Sequence, residues 1–101
     1  MRTYYTDYVN HIIKTYVRAN LDDLTSEPDR INWFVADRVI GGLTSEQQKI
    51  LRAIYTELVN HDRTPMFQVV SDYCDRSGRR KEEVAWLIRT VQKKIKLERG
   101  L

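Results

Sequence analysis

The stretch KILRAIYTELVNHDRTPMFQVVSDYCDRSGRRKEEVAWLIRTVQKKI, from Lys49 to Ile95, decides the fold. Apolar residues recur at helical spacing in three successive blocks, and no run alternates with the period of a strand. In the first block Ile50, Leu51, Ile54, Tyr55 and Leu58 form the stripe, and Thr44 with Gln47 three residues later makes a capping box ahead of it. Asn60 to Arg63 interrupts the pattern with polar residues. Thr64 and Pro65 then read as the cap and first position of the next helix, whose core candidates are Phe67, Val69, Val70 and Tyr73. Ser77-Gly78 should stop it. The third block runs from about Lys81 to Glu98 and places Val84, Leu87, Ile88, Val91 and Ile95 on one face.

Upstream, two more helices are expected. From Tyr4 to about Ala19, the residues Tyr5, Tyr8, Val9, Ile12, Ile13, Tyr16 and Val17 recur on one helix face, the strongest periodicity in the chain. Asn20 to Ser26 is polar and turn-prone. Ser26 can cap a helix with Glu27, Pro28 and Asp29 in its first turn, with Ile31, Phe34, Val35 and Val39 directed to the core, ending at Gly41-Gly42. The expected architecture is all-α: a single five-helix domain over residues 1–101, with an N-terminal helical pair over 1–42 and a helix-turn-helix unit over 43–101.

The composition fits this reading. A chain of 101 residues supports one domain with a modest core, and 42% hydrophobic residues is ordinary for a soluble globular fold. No apolar run approaches the roughly 20 residues needed to cross a bilayer, so no membrane partner is expected. Asp7 and His11 interrupt the N-terminal segment where a secretory signal would need an apolar core. Cys74 is the one cysteine, which rules out an internal disulfide and suits a reducing cytoplasm; its setting in VVSDYCD suggests a small core residue. The net charge of +3 is unevenly spread: residues 1–50 hold six Lys/Arg against seven Asp/Glu, and residues 76–99 hold nine against three. A basic surface concentrated on one element favours a polyanionic partner.

The placement of Arg79, Arg80 and Lys81 sharpens that inference. Cations at the start of a helix oppose its dipole, and a polyanion would more than compensate. Two helices joined by a short glycine-containing turn, the second amphipathic and basic at its start, have the sequence form of a helix-turn-helix, whose second helix enters the major groove. Arg79, Arg80, Lys81, Arg89 and Lys93 are then candidate guanine or phosphate contacts, and Glu82 is placed to accept from cytosine. Trp86, beside the Val84 and Leu87 face, reads as a boundary residue packed on another helix in preference to a base contact. Trp33 reads as core.

LTSEQQKILRAIY, followed by a loop, a helix, a turn and EEVAWLIRTVQKKI, resembles the helix-turn-helix of the fourth region of bacterial sigma factors. The whole chain also resembles small phage-encoded transcriptional regulators of the RinA/ArpU type. Asn32-Trp33, Trp86-Leu87-Ile88 and Arg99-Gly100-Leu101 match their recurring features. The resemblance implies sequence-specific DNA binding in transcription regulation. The candidate partners are duplex DNA, RNA polymerase and a second copy of the chain.

Catalysis is not indicated. His11 and His61 are the two histidines, no second ligand stands at zinc spacing, and none of the four glycines opens a phosphate loop. Asp22-Asp23 and Glu82-Glu83 are adjacent pairs, and neighbours on a helix diverge. No cofactor is expected. The competing reading is a non-enzymatic protein-protein interaction module or adaptor. Its surface would be the tyrosine-rich first helix, with Tyr4, Tyr5 and Tyr8 at the interface, because tyrosine is favoured at interfaces.

Overall fold

A computed structural model describes residues 4–101, with side chains from residue 6 onward. Among the described residues five α-helices appear in chain order: α1 (Tyr4–Arg18), α2 (Glu27–Gly41), α3 (Ser45–Asn60), α4 (Met66–Ser77) and α5 (Lys81–Glu98). A short 3-10 turn over Leu21–Asp23 lies between α1 and α2. The described residues contain no strand, and none of their helices is long and apolar enough to cross a membrane.

The helix boundaries follow local chemistry. Ser26 Oγ accepts from the Asp29 N–H at 3.2 Å, so α2 starts where a capping serine precedes Pro28 in the first turn. Ahead of α3, Thr44 Oγ1 accepts from the Gln47 N–H and Gln47 Oε1 accepts from the Thr44 N–H, both at 3.1 Å. This reciprocal box satisfies two amides that would otherwise lack a partner. The start of α4 departs from the expected one. Pro65, not Thr64, occupies the cap position, and the Pro65 carbonyl accepts from the amides of Gln68 and Val69. Proline fixes φ near −65° at either position; ψ at 151° is what keeps Pro65 outside the helix.

One core joins all five helices. It contains Val9, Ile12, Ile13 and Tyr16 of α1; Val35, Ala36 and Ile40 of α2; and every residue expected on the stripes of α3 and α5. Val69, Val70 and Cys74 complete it from α4, with Tyr73 partly buried beside them. Burying side chains of this size contributes about 1.5–3 kcal/mol each. Helix α5 packs against each of the other four, and α4 packs against α3 and α5.

Three apolar residues assigned to the core from sequence point outward. Ile31 and Phe34 of α2 are 42% and 48% exposed, and Phe67 in the first turn of α4 is 73% exposed. In α2 the inward face is turned towards Asn32, Val35, Ala36 and Ile40 because Asn32 is a buried junction. Its Oδ1 accepts from Arg99 Nε at 2.6 Å and its Nδ2 donates to the Tyr8 hydroxyl at 3.0 Å, tying α2 to the C-terminal end of the chain and to α1. A helix apolar on both sides takes its register from this polar tie as much as from its hydrophobes. Trp33 meets the expectation of core packing: it is partly buried, packs against Tyr16 with ring centroids 5.2 Å apart and planes tilted by 53°, and donates to the Ala19 carbonyl at 3.2 Å.

Candidate nucleic-acid interface

Helix α4 ends at Gly78, whose φ of 74° lies in the left-handed region that side chains with a Cβ rarely adopt. Ser77 Oγ donates to the Tyr73 carbonyl at 2.7 Å and closes the last turn. Arg80 follows in extended conformation at φ −79° and ψ 135°, and α5 begins at Lys81. Glu82 and Glu83 in its first turn offset the unfavourable placement of cations beside the helix dipole.

The three cations of this turn have different fates. Arg79 is only 28% exposed and its Nη2 donates to Glu46 Oε1 in the first turn of α3. The hydrogen bond and charge of Arg79 hold the Glu46 carboxyl below its ordinary value. Arg79 is therefore a strut between the turn and α3. Arg80 and Lys81 are exposed, and among the described residues neither forms an ion pair with a carboxylate.

Along α5, Val84, Leu87, Ile88, Val91 and Ile95 are buried, and the opposite side carries Glu82, Trp86, Arg89 and Lys93, all exposed. At about 100° per residue, these four fall within roughly 60° of one another. From Glu82 to Lys93 the row is about 17 Å long at 1.5 Å per residue. Arg89 and Lys93 likewise have no carboxylate partner among the described residues. Trp86 is 55% exposed, so it is not the packed boundary residue its neighbours in sequence suggested. Beside this face, a groove of about 410 Å³ between α1 and α5 is lined by Thr6, Val9, Arg89, Gln92, Lys93 and Lys96. Lys94 turns away, towards a second groove formed with Arg38 and Val39 of α2.

The flank of α5 is pinned by a polar junction that sequence reasoning missed. Asn10 of α1 is 8% exposed, and its Oδ1 accepts from Tyr55 of α3 at 2.6 Å and from Gln92 of α5 at 2.9 Å. Burial raises the Tyr55 phenol above its ordinary value, which keeps it a neutral donor. One carbonyl oxygen thus joins three helices beside the cationic face. The signal available in the sequence was an asparagine within an apolar stripe.

The described tyrosines of α1 are committed inward. Tyr8 is half-buried and accepts from Asn32. Tyr16 is 8% exposed, donates to Asp37 at 2.8 Å and accepts from Arg52 at 3.3 Å. Burial first, and then the Asp37 carboxylate, raise its phenol above the ordinary value. The side chains of Tyr4 and Tyr5, assigned to an interface from sequence, lie outside the described residues. His11 and His61 are both exposed and stand on separate elements.

Neither a family model, a curated protein nor a solved structure gives a significant match to this chain.

Proposed function

We propose that this protein is a non-enzymatic, sequence-specific DNA-binding regulator of transcription that reads duplex DNA with α5. Helix α4, the left-handed turn at Gly78 and α5 act as a helix-turn-helix, in the manner implied by the resemblance to sigma-factor region four and to phage regulators. The observation that carries the reading is that Arg80 and Lys81 at the mouth of α5, and Arg89 and Lys93 on its outward face, stand exposed without carboxylate partners among the described residues, on a helix tied to α1 through Gln92. Arg80, Lys81 and Lys93 meet phosphates, which set position and supply most of the salt-dependent affinity. Glu82 and Arg89 face base edges, an acceptor for cytosine N4 and a fork for guanine O6 and N7. Arg79, already paired with Glu46, fixes the angle at which α5 is presented.

A gel shift with random duplex at low salt, comparing wild type with Arg80→Ala/Lys81→Ala, tests this reading. The variant should bind more weakly, with a salt dependence shallower by about two, one for each phosphate contact removed. Equal binding by both proteins contradicts it. The adaptor reading draws no support from the described tyrosines of α1, which are spent on contacts within the chain.

A further inference from the structure

We infer that Trp86 makes recognition depend on thymine, through contact between its indole ring and the C5 methyl group; this rests on the DNA-binding reading above. Trp86 is the largest side chain on the outward face of α5 and is 55% exposed. It lies five residues into the helix after Lys81, about 7.5 Å along the axis, in the N-terminal part from which a recognition helix contacts base edges. Glu82 precedes it by one turn and Arg89 and Lys93 follow on the same side, so the ring lies inside the row that would face the bases.

Its setting also narrows the occupant. The cations that flank the ring, Arg89 and Lys93, are exposed and have no carboxylate partner among the described residues. Unpaired cations beside the ring attract a polyanion. Within the major groove the base pairs present polar acceptors and donors, and the thymine methyl is their apolar feature. A ring laid over an N7, O6, N4 or N6 group would strip water from it without replacing the hydrogen bond, whereas a methyl loses nothing. The indole N–H has no protein acceptor among the described residues, and thymine O4 stands beside the methyl to accept it.

The test is a duplex selected by wild type from a random pool, remade with each thymine in turn replaced by deoxyuridine, which removes the methyl alone. Wild type should lose about fourfold in affinity at one or two positions, the scale of burying a single methyl group. Trp86→Ala should bind the parent duplex correspondingly less well and be indifferent to those replacements, and Trp86→Phe should keep the sensitivity. Circular dichroism confirms that both variants are folded, as expected for an exposed position. Wild type indifferent to every replacement, or Trp86→Ala retaining the full penalty, overturns the inference while leaving DNA binding intact. Failure of wild type to select or bind any duplex overturns both.

Discussion

Helices α3 and α5 are built alike on the inside and differ on the outside. Each buries five side chains on a single stripe, and each begins where a short connection turns the chain back. On the outer side of α3 three of the four charges are engaged within the chain, Glu46 with Arg79, Arg52 over the Tyr16 ring at 5.2 Å, and Glu57 with His61 at 3.6 Å, and Lys49 alone stands exposed without an ion pair among the described residues. On α5 the outward Arg89 and Lys93 have no such partners among the described residues. The same apolar spacing therefore makes two scaffolding helices, and what separates them is how far their outward charges are already spent within the chain.

If the inward faces are equivalent, truncating either should cost about the same. Leu51→Ala in α3 and Leu87→Ala in α5 should each lose about 3 kcal/mol in chemical denaturation, since both are nearly or fully buried in the one core. A Leu87→Ala variant as stable as wild type would mean that α5 is held loosely, and the comparison would fail. Asn10→Ala sharpens the point at the junction between the two helices. It leaves the Tyr55 hydroxyl and the Gln92 amide without their acceptor and should cost about 2 kcal/mol. An unchanged midpoint would show that the junction does not anchor α5.

The smallest effect is expected at the tie between the helices. Because Arg79 lowers the Glu46 pKa, the pair contributes stability above the carboxyl's ordinary value of 4.5, and that contribution disappears as pH falls through the lower, folded value. Glu46→Gln should therefore be slightly less stable than wild type at neutral pH, and the two should converge on acidification. A difference that persists unchanged into strong acid would show that charge is not what holds the turn.

Much of the scaffold was legible in the sequence, for identifiable reasons. All ten stripe residues expected on α3 and α5 are buried, because both helices alternate apolar and strongly polar faces cleanly. The capping box at Thr44 and Gln47 and the stop at Gly78 were readable because each depends on residues within one turn. Helix α2 was misjudged because Ile31 and Phe34 offer an apolar face as good as the true one, and the deciding contact comes from Arg99, 67 residues away. Phe67 misled for a simpler reason: it stands in the first turn of α4, at the rim of a cleft between α1 and the α3–α4 connection, where the helix has not yet reached the core. At the candidate site, the exposed Arg80, Lys81, Arg89 and Lys93 could be named from periodicity alone. The commitment of Arg79 could not, because Glu46 lies 33 residues earlier and no local spacing links them.

The central claim is that the outward face of α5, and not that of α3, meets nucleic acid. Fluorescence anisotropy of a labelled duplex across a salt titration tests it most directly, with wild type, Lys49→Ala on α3, and Arg80→Ala/Lys81→Ala/Arg89→Ala/Lys93→Ala on α5. The account predicts that Lys49→Ala matches wild type, and that the α5 variant binds far more weakly with a log–log salt slope shallower by about three. Three curves that superimpose, or a loss confined to Lys49→Ala, would contradict it.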